Sequence, residues 1–206
     1  MSDTATRYLY LARHGEATPD GELTDIGRRQ AVLLGRRLAE RPITAVHHGP
    51  LPRAAETARL VAEQLGGVRA AACAEAGDYV PHVPERGELP DDSAEFLLDF
   101  LSSTSAEERD QGRELARQAV ERFTGPVAGG AERHELVVTH AFLIGWLVRQ
   151  AMDAPAWRWL GLNPGNTALT VLRYAPGRPP SVLLYNDLRH LPEELCWTGF
   201  PPALKV

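Results

Sequence analysis

The chain has 206 residues, of which 44% are hydrophobic and 24% are charged, the proportions of an ordinary soluble globular protein. This length favours a single domain, residues 1–206, with one well-buried core. A net charge of −5 argues against a general nucleic-acid binder, which needs a basic surface to hold phosphates. Cys73 and Cys196 are far apart and fit neither a disulfide framework nor a metal-binding spacing.

No run of residues approaches the length of a membrane span, and residues 1–7 are polar and lack the apolar core of a signal peptide. We therefore expect a cytoplasmic enzyme that acts neither at a membrane nor on nucleic acid. Its histidines lie at spacings unlike those of metal sites, so a bound metal is not expected.

The first half of the chain alternates strands and helices. Residues 8–12 (YLYLA) predict a buried strand, which ends at the polar residues 13–16 (RHGE). Thr24 is a good N-cap for a helix that Pro42 terminates, and residues 43–48 predict a second strand. Pro52 suits the first turn of a helix running to about residue 65, and residues 68–73 predict a third strand.

The second half continues the pattern after an irregular segment. Residues 75–92 are rich in proline, glycine and charge, which is typical of a functional loop, and residues 93–123 predict a helix in two pieces. Residues 135–140 predict a strand that ends in His140, followed by a helix over residues 141–150. Residues 166–174 and 181–185 predict a hairpin at the sheet edge. The alternation indicates a three-layer α/β/α sandwich with a mostly parallel mixed sheet.

Two strand ends carry the residues best suited to chemistry. The His14 imidazole can accept a transferred group, Arg13 offers a planar fork of donors that matches phosphate, and Gly15 lets backbone approach a ligand. His140 immediately precedes a helix, so its side chain lies next to unpaired backbone N–H groups such as that of Ala141, a ready anion site.

Three motifs in a fixed order resemble a known family. They are RHGE at residues 13–16 with Leu23-Thr24 and Gly27, PLPRA at residues 50–54 with ETA at residues 56–58, and VVTH at residues 137–140. Together they resemble the histidine phosphatase superfamily, with its phosphoglycerate mutase-like fold. Glu75-Ala76-Gly77 before a proline-rich loop, and the late NPGNT segment, look most like the mitochondrial mutase-like protein phosphatases and their small bacterial relatives.

The resemblance implies a phosphatase that hydrolyses phosphate monoesters through a phosphohistidine on His14. Arg13, Arg53 and His140 would hold the phosphoryl oxygens together with the Ala141 N–H group, so that arginine charge replaces a metal and no cofactor is required. Family position points to Glu75 as the general acid, with Asp78 as the alternative. The remaining expected site residues are an orienting Glu16 and, lining the pocket, His48.

Two departures from the family pattern and several alternatives stay open at this point. Asp20 occupies the place nearest to an asparagine that often contacts phosphate, and His48-Gly49 replaces a serine. These departures predict either modest turnover of common esters or a pocket adapted to a particular metabolite. A phosphoglycerate mutase, an inactive interaction module and a metal-dependent hydrolase are the competing functions. The substrate is a small phosphorylated metabolite or a phosphoprotein, and the hairpin edge or residues 197–204 would allow a homodimer.

Overall fold

The computed structural model describes residues 3–200, 203 and 205. Within them, a six-stranded sheet has the order β4-β3-β6-β2-β7-β8, and β1 pairs with β5 in a separate ribbon. The strands are β1 (Thr4–Ala5), β2 (Arg7–Arg13), β3 (Ile43–His48), β4 (Ala70–Ala72), β5 (Val127–Ala128), β6 (Arg133–Thr139), β7 (Leu169–Tyr174) and β8 (Ser181–Asp187). Strands β4, β3, β6 and β2 run parallel, whereas β7 and β8 form the predicted antiparallel edge hairpin.

Helices cover both faces of the sheet. They are α1 (Asp25–Leu38), α2 (Pro52–Gln64), α3 (Ala94–Phe100), α4 (Ala106–Phe123) and α5 (Ala141–Ala151). The apolar faces of α1 and α2 pack against one side of the sheet, and those of α4 and α5 pack against the other. This arrangement confirms the predicted three-layer α/β/α sandwich.

The position of β2 explains its unbroken apolar sequence. Leu9 and Leu11 face the core beneath α4 and α5, while Tyr10 and Ala12 face the core beneath α1 and α2. A strand that is buried on both faces reads as a continuous hydrophobic run rather than as an alternating one.

The pairing of β2 with β6 brings the two histidine-bearing strand ends together. Arg13 pairs with Thr139 in a parallel register, and the backbone N–H of His14 donates to the Thr139 carbonyl at 2.9 Å. Parallel strands end at the same sheet edge, so His14 and His140 emerge side by side at the carboxyl edge.

Three details differ from the sequence expectations. The third strand is limited to β4, residues 70–72, and the structure adds two short strands that the sequence did not predict, β1 and β5, which pair with each other. The segment over residues 75–92 contains two short 3₁₀ turns, Ala74–Ala76 and Arg86–Glu88. Among the described residues, none of the helices has the length and apolar character needed to cross a membrane.

Candidate active site

His14 lies at the centre of the sheet edge, with its imidazole held in one tautomer. Its Nδ1 lies 2.7 Å from the Gly15 carbonyl oxygen, and because a carbonyl can only accept, Nδ1 carries the proton. The lone pair therefore resides on Nε2. Burial lowers the pKa of His14 to about 3, and the nearby charges of Arg13 and Arg53 act in the same direction. The hydrogen bond to Gly15 opposes this shift. Near neutral pH the ring is an uncharged nucleophile.

Arg53 links His14 to a carboxylate. Pro52 begins α2 and places Arg53 in its first turn, as predicted, so that the guanidinium reaches the sheet edge. The Arg53 Nε–H donates to His14 Nε2 at 3.2 Å, and its NH2 group donates to Asp78 Oδ2 at 2.7 Å. The guanidinium thus occupies the space in front of the nucleophilic nitrogen.

His140 approaches the same group from β6. Its ring centroid lies 5.1 Å from that of His14, and its Nδ1 lies 3.4 Å from Asp78 Oδ2. Both ring nitrogens are buried and, in the part of the chain that the structure describes, neither has a hydrogen-bond partner. Burial and the charges of Arg53 and Arg13 lower the pKa of His140 to about 3. The ring is therefore neutral near neutral pH and can still donate a hydrogen bond to a ligand.

Arg13 is buried beside this cluster. Its NH1 group donates to the carbonyl oxygens of Pro164 at 3.1 Å and Gly199 at 3.0 Å, which fixes the guanidinium. Burial lowers the pKa of Arg13. Its Nε atom is buried without a hydrogen-bond partner among the described residues. The structure therefore brings Arg13, His14, Arg53 and His140 together, as the sequence predicted.

Close backbone packing holds the loop after β2 in place. A Cβ atom on Gly15 would come within 2.5 Å of the Gly27 carbonyl oxygen, so a larger residue cannot occupy this position. The Gly15 N–H donates to the buried Thr57 hydroxyl at 3.0 Å, and the Glu16 side chain accepts from Thr24 at 2.8 Å. These bonds tie the loop to α2 and α1, which fits the orienting role expected for Glu16.

The C-terminal segment adds a network that the sequence analysis missed. The Asn166 side chain donates to the His14 carbonyl oxygen at 2.8 Å and accepts from the Thr198 hydroxyl at 3.2 Å. The Gln30 amide donates to the same hydroxyl at 2.7 Å and accepts from the Glu16 N–H. Residues 197–200 thus fold back onto the site, whereas residues 201, 202 and 204 of the tail singled out above lie outside the described residues.

Two expected site residues lie elsewhere. The Glu75 carboxylate is paired with Arg122 of α4 at 3.2 Å, whereas Asp78 is the carboxylate that contacts both Arg53 and His140. The structure therefore corrects the placement of Glu75 and favours the alternative, Asp78.

His48 is the second correction. Its side chain lies in a surface depression beside Ala55 and Arg59 of α2, and its Nδ1 bonds to the Gly49 carbonyl oxygen at 2.8 Å. Alternation along β3 sends His47 towards Phe123 on the opposite face, so neither of these side chains reaches the cluster through its strand position. Asp20, which stands where relatives often carry asparagine, is exposed.

The chemistry of the site is that of an anion receptor around a nucleophile. Two guanidinium groups and the first N–H groups of α5 can hold phosphoryl oxygens, while His14 Nε2 can attack phosphorus. Among the described residues, no group of three or more His, Cys, Asp or Glu side chains is arranged to hold a metal ion.

The fold and this cluster define an α/β protein built to bind and transfer a phosphoryl group, and comparison with known proteins agrees. The chain belongs to the histidine phosphatase superfamily (branch 1), whose family model matches residues 9–188. It is 31% identical over 204 residues to the mitochondrial serine/threonine-protein phosphatase Pgam5 of Caenorhabditis briggsae, covering 95% of this chain and 68% of the relative. For the Caenorhabditis elegans protein of the same name the identity is 32% over 197 residues, covering 92% and 66%.

The chain therefore spans about two thirds of the length of these relatives. Solved structures of similar fold include the phosphoglycerate mutase of Plasmodium falciparum, at 20% identity and a TM-score of 0.61, covering 92% of this chain and 96% of that one. Mycobacterial glucosyl-3-phosphoglycerate phosphatase has 21% identity and a TM-score of 0.59, covering 89% and 100%. These comparisons confirm the predicted family and fold.

Proposed function

We propose that this protein is a phosphomonoesterase that works through a phosphohistidine on His14. The observation that carries the proposal is the fixed tautomer of His14, which presents an unprotonated Nε2 between Arg53 and the unpaired ring of His140. The relatives named as serine/threonine-protein phosphatases support hydrolysis as the outcome.

In the first step, the substrate phosphoryl group accepts hydrogen bonds from the Arg53 guanidinium in place of His14 Nε2 and Asp78. His14 Nε2 is then free to attack phosphorus. A bond forms between nitrogen and phosphorus while the bond to the leaving oxygen breaks. Arg13, Arg53, His140 and the N–H groups at the start of α5 stabilise the peripheral oxygens, which carry the charge in the transition state. The cycle begins with a proton on Asp78, which the second step restores.

Asp78 then donates this proton to the departing alkoxide. In the second step the Asp78 carboxylate takes a proton from water, which attacks the phosphohistidine and releases inorganic phosphate and free His14. Asp78 fits the acid role because its Oδ2 contacts both Arg53 and His140, so it borders the phosphoryl position.

The test measures release of phosphate from p-nitrophenyl phosphate in the presence of a chelator, with wild-type protein and the His14→Ala variant. We expect hydrolysis by the wild type and a loss of about 10⁴-fold or more in the variant. Rapid quenching should trap an alkali-stable, acid-labile phosphoprotein that the variant does not form. Chelator-sensitive hydrolysis, or retained activity in His14→Ala, would overturn the proposal. Phosphoryl transfer between hydroxyls of one substrate without phosphate release would identify a mutase instead.

A further inference from the structure

A cavity of about 400 Å³ extends from the candidate active site towards α4. Asp78 lines one end of it, and this is the same carboxylate that contacts Arg53 and His140. Phe142, two residues after His140, forms part of the wall. A group attached to a phosphoryl held by Arg53 would therefore enter this cavity, which has the volume of a small-molecule pocket.

The charge of the cavity is one-sided. Asp78 and Glu108 both line it, and none of the described residues that line it is basic. The other polar walls come from neutral side chains, including Ser103 and Gln111. Arg109 is exposed and donates to the Thr104 carbonyl oxygen at 3.1 Å without lining the cavity. A leaving group with a negative charge would thus meet the Glu108 carboxylate and no basic side chain among the lining residues.

Glu108 is held in position by the start of α4. Ser105 is the N-cap of this helix, and its backbone N–H donates to Glu108 Oε2 at 2.8 Å in a reciprocal capping box. This bond lowers the pKa of Glu108, so its carboxylate is ionised near neutral pH. Because only one carboxylate oxygen is needed for the capping bond, the other can interact with a ligand.

Phe142 supplies an aromatic part of the wall of the same cavity. Its ring packs edge-on against Trp159 at a centroid distance of 4.9 Å, which fixes its orientation. A quaternary or primary ammonium group is attracted both to an aromatic face and to a carboxylate. Hydrophobic and anionic walls together are the usual surroundings of an amino-alcohol cation.

We propose that this cavity selects phosphate monoesters of small cationic alcohols, with the ammonium group lying between Glu108 and Phe142. The inference rests on the proposed phosphomonoesterase function and specifies its substrate class. Esters whose leaving group carries a carboxylate or a second phosphate are disfavoured by the negative charge of Glu108. Glu108 acts here as a specificity residue and takes no part in the transfer of the phosphoryl group.

The test compares kcat/KM for three substrates of similar size: choline phosphate, the neutral isostere in which carbon replaces the quaternary nitrogen, and phosphoglycolate. We expect choline phosphate to exceed its isostere about fivefold to tenfold, and phosphoglycolate to be the poorest of the three. The isostere controls for shape and for apolar contact, so the ratio reports the charge alone.

The Glu108→Gln variant locates this preference. Glutamine also supports a capping box, so α4 is retained while the charge is removed. We expect the ratio between choline phosphate and its isostere to fall to near unity in this variant. The matched control is Glu107→Gln, in the same helix turn but outside the cavity lining, which should keep the wild-type ratio.

Hydrolysis of p-nitrophenyl phosphate separates the two proposals. If it proceeds and depends on His14 while the isostere is turned over as well as choline phosphate, the cation-selective cavity is wrong and the phosphatase stands. A wild-type preference that survives Glu108→Gln would also overturn the assignment. If p-nitrophenyl phosphate is not hydrolysed, the phosphatase proposal fails and the inference fails with it.

Discussion

His134 and His140 stand near opposite ends of β6, and both are buried, with exposures of 8% and 2%. The two rings differ in their hydrogen bonding. His134 stacks on Tyr8 at a centroid distance of 4.5 Å, and its two nitrogens contact the Tyr10 hydroxyl at 3.0 Å and the Glu132 carboxylate at 3.2 Å. His140 has no hydrogen-bond partner for either nitrogen among the described residues and faces two arginines.

The contrast shows that burial alone does not mark a functional histidine. A buried polar atom without a partner costs stability, so it persists where a ligand supplies the missing bond. His134 at the amino edge of the sheet has a complete set of contacts and stabilises the fold. At the carboxyl edge, His140 would bind a phosphoryl oxygen in the mechanism that we propose.

After His14→Ala, the largest expected effect is that of one substitution that separates these two roles. His140→Leu removes a donor to the phosphoryl group and should lower kcat/KM for p-nitrophenyl phosphate about 10²–10³-fold. Its free energy of unfolding should be unchanged or higher, because two unpaired buried nitrogens are removed. Steady-state kinetics and urea unfolding of the same preparation measure both quantities.

His134→Leu is the matched control and should show the reverse. Its loss leaves the Tyr10 hydroxyl without its partner, so the free energy of unfolding should fall by about 1–3 kcal/mol while kcat/KM stays near the wild-type value. A stable but inactive His134→Leu, or an unstable but active His140→Leu, would contradict the distinction between the two rings.

A second pair of residues applies the same reasoning to carboxylates. Asp78 borders the histidine pair, whereas Glu75 already has its partner in Arg122. Asp78→Asn should therefore slow hydrolysis of alkyl phosphates about 10²-fold, and slow p-nitrophenyl phosphate much less, because nitrophenolate departs without a proton.

Glu75→Gln is the comparison, and it should slow alkyl and nitrophenyl esters equally and only slightly. The ratio of kcat values for the two ester types measures the acid role directly. A larger alkyl-specific defect in Glu75→Gln than in Asp78→Asn would return the acid role to Glu75.

Local sequence patterns were sufficient for most of the fold and for the four clustered residues. Hydrophobic runs ending at Arg13-His14 and at His140 predicted the two strand ends, and Thr24 and Pro52 predicted helix starts that the structure confirms. These signals work because strand burial, capping and the restricted φ of proline are properties of a few neighbouring residues.

The missed features depend on contacts that no local pattern contains. Glu75 lies in a short 3₁₀ turn and Asp78 follows it, and such an irregular segment has no periodicity that predicts which side chain faces the histidines. Alternation on β3 sends His47 and His48 to opposite faces of the sheet, but the packing of α2 against one face depends on residues distant in sequence. Gln30 and Thr198 are 168 positions apart, so their hydrogen bond had no sequence signal.

The pH dependence of stability offers a third test, which concerns the buried histidines. Burial lowers the pKa of His14 and of His140 to about 3, and that of His190 to about 4. The unfolded chain binds protons near pH 6.5, so below that pH it gains protons that the native state does not, and the free energy of unfolding falls.

Between about pH 6.5 and about pH 5 the expected fall is roughly 1–2 kcal/mol for each of these three histidines. Most carboxyl groups titrate at lower pH, so the fall in this pH range comes mainly from histidines. Urea unfolding at the two pH values measures the fall, and His140→Leu should reduce it by one histidine's share. An equal fall in wild type and variant would exclude His140 as a source of the acid sensitivity.

The smallest expected effect concerns the hydrogen bonds that join Thr198 to Gln30 and Asn166 beside the candidate active site. Thr198→Val keeps the side-chain volume but removes the hydroxyl that joins Gln30 to Asn166, and Asn166 holds the His14 carbonyl. The adjacent Gly199 carbonyl also holds Arg13. We expect kcat/KM to fall about threefold to tenfold, the value of one net hydrogen bond.

A positioning role predicts more than a general weakening. Looser placement of Arg13 should raise the inhibition constant for inorganic phosphate along with KM, and Thr198→Ser, which restores the hydroxyl, should restore both. Thr44→Val is the matched control, because its hydroxyl bonds to the His134 carbonyl at the other end of β6 and should affect neither constant. If Thr198→Val lowers only the free energy of unfolding and leaves phosphate inhibition unchanged, the segment stabilises the fold without orienting Arg13.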